Sequence, residues 1–208
     1  MKRNTIRIVV ALVLVLSICL ATAVPAIAGD DNNGRAAGFA SGAGEWTFDG
    51  GDYPYPWNLP WYGDFVFHVQ EAHHGQPPKG FQYSTWITDD IDPVTPGDQL
   101  YKMWILDSII DVTVVSRDDG TSEVWVLSEI TACSDPNYVG TLHIFAYLDG
   151  GTPGLNGDKI FAALAPYNWY PGMTPQGIYE AGVAGAPPPF DNPWLSPVTK
   201  GDVVVKPQ

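Results

Sequence analysis

LHIFAYLDGGTPGLNGDKIFAAL, residues 142 to 164, reads as a strand, a loop rich in glycine and aspartate, and a second strand. Leu142, Ile144, Ala146 and Leu148 alternate with His143, Phe145 and Tyr147, the period of two of a pleated strand. Asp149, Asn156 and Asp158 bring side-chain oxygens into the loop, with four glycines between them. The stretch predicts an all-β domain.

The same pattern recurs on either side. Trp46-Thr47-Phe48 reads as a brief first strand. Phe65, Phe67 and Val69 alternate with Val66, His68 and Gln70, and Phe81, Tyr83 and Thr85 with Gln82, Ser84 and Trp86. Residues 100 to 106 and 109 to 116 read as two strands broken at Asp107-Ser108, followed by 123 to 130. A weaker strand is expected around 177 to 181, and a last one at 202 to 206. About eight short antiparallel strands separated by Gly, Pro, Asp and Asn predict a sandwich or a partly open barrel. Residues 49 to 64 and 165 to 197 are rich in proline, which lacks the N–H a central strand donates, so both are expected as long insertions over the sheets.

The N-terminus has the form of a secretion signal. Lys2, Arg3 and Arg7 precede an apolar run from residue 8 to 20, and Ala26-Ile27-Ala28 is a small-x-small cleavage site. The run is too short for a bilayer core, which needs about 20 residues. The predicted organisation is a signal peptide at 1–28, a flexible segment at 29–41 and one domain at 42–208. Losing the signal leaves seven Lys and Arg against 23 acids, a net charge of −16. Eighteen of the acids are Asp, which suits turns rather than helix surfaces. So negative a chain repels nucleic acid and anionic membranes. The mature chain keeps one cysteine, Cys133, so no internal disulfide is expected, and the residue reads as a small buried hydrophobe.

Several of these segments together resemble a known family. Gly42-Ala43-Gly44 ahead of Trp46 resembles its glycine-rich opening. Phe65-Val66-Phe67-His68-Val69 with Pro78-Lys79-Gly80-Phe81-Gln82-Tyr83 resembles a strand pair joined by a polar turn, and residues 108 to 130 its central strands. Residues 140 to 160, with Asp149, Gly151, Gly154, Asp158 and Lys159-Ile160-Phe161, resemble its hairpin, and Gly201-Asp202-Val203-Val204-Val205-Lys206 its closing strand. The family is the post-COAP-1 type domain, a secreted β-rich domain without an assigned activity. The resemblance covers roughly 42 to 206. It implies an all-β fold and carries over no catalytic residue.

Four groups of residues are candidates for chemistry. Asp149, Asn156 and Asp158 could supply part of the six to eight oxygens calcium takes, although the spacing is not that of an EF-hand; the alternative is a loop folded by Asx-turn hydrogen bonds. His68, Glu71, His73 and His74 have zinc-binding side chains but the wrong parity to converge on a straight strand. Tyr53, Tyr55, Trp57, Trp61 and Tyr62 could stack on sugar rings or close one end of the core. Asp89, Asp90 and Asp92, with Asp118 and Asp119, could pair as the carboxylates of a glycosidase-like hydrolase, but both runs look like turns. No Ser–His–Asp order, phosphate loop or HExxH occurs. The expected protein is a secreted, non-catalytic binding or scaffold module. Its expected partner is an extracellular polysaccharide or a cell-surface protein, with no insertion into a membrane once the signal is removed. The alternatives are a carbohydrate-binding module and the hydrolase.

Overall fold

The computed structural model describes residues 37–49, 60–89, 100–150, 157–164, 174–185 and 196–207. Eight antiparallel strands close into a barrel in sequence order. They are β1 (Phe39–Phe48), β2 (Trp61–Gln70), β3 (Lys79–Asp89), β4 (Leu100–Ser116), β5 (Ser122–Cys133), β6 (Leu142–Asp149), β7 (Lys159–Leu164) and β8 (Ser196–Lys206). The all-β expectation holds, whereas the sandwich does not: each strand pairs with both neighbours and β8 returns to β1.

Register sets what faces inward. Ala40 pairs with Val69 and Val205, and Tyr147 pairs with Val124 and Ile160. All of these residues belong to one buried core cluster. An eight-stranded barrel has an interior about wide enough for side chains to fill. Here aromatic rings fill much of it. Phe67 stacks on Tyr147 with centroids 3.8 Å apart and planes 8° apart. Phe65 and Phe145 lie 5.3 and 5.5 Å from the same tyrosine. The glycine-rich opening makes room for them: a Cβ on Gly42 would run into the Phe65 and Phe67 rings. Trp46, Trp61 and Trp86 form a second aromatic group, in edge-on contacts at 4.7 and 6.2 Å.

Five local expectations are corrected. Residues 100–116 form one strand of 17 residues, because Asp107 turns inward and the ladder absorbs the irregularity as register shifts at Leu106/Asp107 and Ile109/Asp111. β1 opens at Phe39, ahead of the brief strand expected at 46–48, β2 opens at Trp61, inside the insertion expected at 49–64, and β8 opens at Ser196 rather than at residue 202. The weak strand at 177–181 is a helix, α1 (Pro175–Val183). Thr174 caps it by accepting the Gly177 N–H, and Pro175 stands at the first turn, where no N–H is required.

Helix α1 covers the outside of the barrel over β5 to β7. Ile178 and Tyr179 pack on Trp125, Leu127, Ile144, Ala146 and Phe161. Two polar ties hold it there. The Tyr179 and Thr113 hydroxyls are 2.7 Å apart, and the Arg117 guanidinium donates to the Gly182 and Val183 carbonyls at the helix end. Arg117 also pairs with Glu123, which accepts the Trp125 indole N–H. Gly182 lies flat on the Trp125 ring, where an added Cβ would overlap it. In an isolated helix Gly→Ala stabilises by about 1 kcal/mol. Here Gly182→Ala is expected to destabilise by about 1–3 kcal/mol through overpacking, read as a fall in the urea midpoint.

Candidate functional site

Three places in the barrel carry chemistry: a polar cluster in the lumen, the carboxylates of the 149–158 loop, and the outer face of β2 to β4.

The lumen cluster centres on Asp107 and His143, both with fully buried side chains. Asp107 Oδ2 lies 3.0 Å from His143 Nδ1. With the carboxylate as acceptor, His143 Nδ1 carries the proton of this contact. Behind it, the Ser128 hydroxyl donates to the His143 carbonyl. Gln82 faces Asp107 across the β3–β4 ladder. His143 Nε2, Asp107 Oδ1 and Gln82 Oε1 are buried without a hydrogen-bond partner among the described residues. Burial and the nearby Asp107 charge push the Tyr147 hydroxyl well above its ordinary range, so it stays neutral. The sequence reading missed this cluster, having taken Asp107 as a strand break and His143 as one more strand residue. The available signal was a single ionisable residue in an otherwise apolar phase of β4 and of β6.

Truncating one member of a buried pair strands the other. Asp107→Leu is therefore expected to destabilise by about 3–5 kcal/mol, and Asp107→Leu with His143→Leu by less than Asp107→Leu alone. Denaturant titrations of the single and double variants measure this coupling.

The Asp149–Asp158 carboxylates bind backbone. Asp158 accepts the Gly150 N–H at 3.0 Å and the Val203 N–H at 2.9 Å, and Asp149 accepts the Val205 N–H at 3.0 Å. The Val198 N–H adds a bond to the Asp158 carbonyl. These oxygens tie β6 and β7 to β8. Asn156 lies outside the described residues. Among the described residues, no group of three or more His, Cys, Asp or Glu side chains could hold a metal ion. Burial raises the Asp158 pKa above 3.8, against the opposing pull of its two amide donors. The native state thus binds more protons than the unfolded chain between the unfolded and folded pKa values, and stability from this group falls as pH rises through that window. Asp158→Asn does not titrate. The stability advantage of the natural protein over Asp158→Asn is expected to be larger near pH 4 than near pH 7, in paired melts at both values.

The remaining candidates separate. Glu71 accepts the Gly38 and Val114 N–H groups at 3.0 and 2.7 Å, which ties β1 to β4. His73 bridges to Gln76 in a turn in which His74 has φ 51°, and burial lowers the His68 pKa. Asp119 accepts the Thr121 N–H and hydroxyl in a turn whose Gly120 has φ 86°. Asp90, Asp92, Tyr53, Tyr55 and Trp57 lie outside the described residues. Trp61 is buried in the core cluster at 3% exposure, so it offers no ring to a ligand, whereas Tyr62 points outward at 37%. Cys133 is half-buried, and burial pushes its thiol up, away from the thiolate a nucleophile needs.

The outer face of β2 to β4 is the third place. Successive rows across it are Tyr62–Ile87–Lys102, Asp64–Thr85–Trp104, Val66–Tyr83–Leu106 and His68–Phe81–Ser108. Six large apolar side chains are exposed among the described residues, and four of them, Tyr62, Phe81, Trp104 and Leu106, lie here. Burial and the neighbouring Asp64 charge raise the Tyr83 pKa, so this hydroxyl too remains a neutral donor. No protein-family model, curated protein or solved structure matches the chain.

Proposed function

We propose that the protein is a secreted, non-catalytic binding module whose barrel presents the outer face of β2 to β4 to a partner outside the cell. The supporting observation is the asymmetry of the barrel exterior. Over β5 to β7 the apolar outer side chains are covered by the chain's own helix, leaving Trp125 2% exposed. Over β2 to β4 comparable side chains stay open, with Trp104 at 37% and Leu106 at 38%. Contiguous apolar surface of this kind marks an interaction site in proteins that stay soluble.

Secretion rests on the N-terminal pattern of Lys2, Arg3 and Arg7, the apolar run at 8–20 and Ala26-Ile27-Ala28. No helix among the described residues is long and apolar enough to cross a membrane. The strands also alternate in the inverse sense of a membrane-spanning barrel, with the apolar side inward and charged residues such as Asp64, Lys102 and Glu129 outward. An all-β fold is what the resemblance to the post-COAP-1 type domain implies. The barrel interior is packed with aromatic and aliphatic side chains, which suits a rigid support better than a cleft.

The mature protein is expected to sediment with the envelope fraction of the cell that produces it, and Trp104→Ala with Leu106→Ala to stay in the supernatant with an unchanged melting temperature. A natural protein that stays wholly in the supernatant would count against the proposal.

A further inference from the structure

Resting on that reading, we infer that the occupant of the β2–β4 face is an uncharged polysaccharide chain. Three observations favour it. The first is ring placement. Tyr62 stands on β2, Phe81 and Tyr83 two residues apart on β3, and Trp104 on β4, each in a different row, so aromatic planes are spread both along and across the face. Pyranose rings expose C–H faces that pack on aromatic planes.

The second is charge. The chain carries −13 overall, yet the four rows hold one carboxylate, Asp64, and one ammonium, Lys102. A face this close to neutral on so acidic a protein suits an uncharged partner. A second copy of the mature chain, seven Lys and Arg against 23 acids, would bring a like net charge of −16 against the first and be repelled.

The third is polar equipment. Asp64 accepts a bond from the Thr85 hydroxyl at 3.3 Å, and Thr85 also accepts the Asp64 N–H at 2.8 Å. The carboxylate is thereby held in place between Tyr62 and Val66 on the outer side of β2, with oxygen lone pairs left to accept from sugar hydroxyls. The Tyr83 hydroxyl, kept neutral, can donate to a ring or hydroxyl oxygen. Rings for the apolar faces and fixed acceptors and donors for the edges are what an uncharged sugar polymer requires. This surface differs from the one expected at 53–62, with Tyr62 as the shared residue.

The test is depletion from solution by insoluble cellulose, chitin and β-1,4-xylan, for the mature protein and for Trp104→Ala, Phe81→Ala and Val139→Ala. Val139 is exposed on the turn after the 3₁₀ segment Pro136–Tyr138, outside the four rows, and serves as a control. The expected result is binding to at least one polymer, insensitive to added salt because the face is near neutral. Trp104→Ala or Phe81→Ala is expected to weaken it about tenfold or more, and Val139→Ala to leave it unchanged. Circular dichroism melts check that each variant is folded; should Trp104→Ala not fold, Phe81→Ala alone decides. No retention on any polymer, or full retention by both aromatic variants, overturns the inference. Envelope fractions distinguish that failure from failure of the wider reading. If the natural protein still sediments with envelopes and protease treatment of the envelopes abolishes this, the face binds a protein and the polysaccharide assignment is wrong while the module stands.

Discussion

Closure at the β7–β8 seam is the constraint on which the molecule depends. A barrel has no free edge only if its last strand meets its first, and β8 meets β1 over most of its length but, among the described residues, pairs with β7 at just Lys159↔Pro197 and Ile160↔Ser196. The buried amides of β8 beyond that point need acceptors. Asp158 and Asp149 supply them, reaching Val203 and Val205 with side-chain oxygens where a longer β7 would have offered carbonyls. A buried carboxylate that accepts two N–H groups is costly to desolvate and strongly specifying. The aromatic packing of Phe65, Phe67, Phe145 and Tyr147 presupposes that this seam is shut.

The exterior follows from the same geometry. A strand in a filled barrel has one apolar phase by necessity, and where its other phase also carries apolar residues these face out. On β5 and β6 that second phase is absorbed by helix α1, fastened through Arg117 and Tyr179. On β2 to β4 it is left open. Two flanks with similar side chains thus have different fates, and the difference is made by a connection between β7 and β8 that folds back over one flank.

Much of the fold was legible in the sequence because alternation is local. The strands about Phe65, Phe81, Val124 and Ile144 announce themselves through their own neighbours. Helix α1 does not: Gly177 and Gly182 weaken its intrinsic propensity, and its stability comes from Trp125, more than 50 residues earlier. Asp107 in β4 looked like a turn residue because its partner, His143, lies 36 positions away. The outer face was hidden for a third reason. Apolar residues in both phases of β3 and β4 read as burial on both sides, and only registers across three strands show that one side is open. Asp149 and Asp158 stand out in the sequence as side-chain oxygens in a loop, but sequence does not reveal that they accept amides of the last strand.

The pairing of Phe39 with Lys206 places the first residue of β1 beside the last of β8. Because the two strands are antiparallel, a force pulling those ends apart loads that pair first and the others in succession. The barrel is therefore built to be peeled open from one corner and resists tension far less than strands loaded in shear. A module pulled by both ends would part between β1 and β8 under little tension while β2 to β4 are still paired.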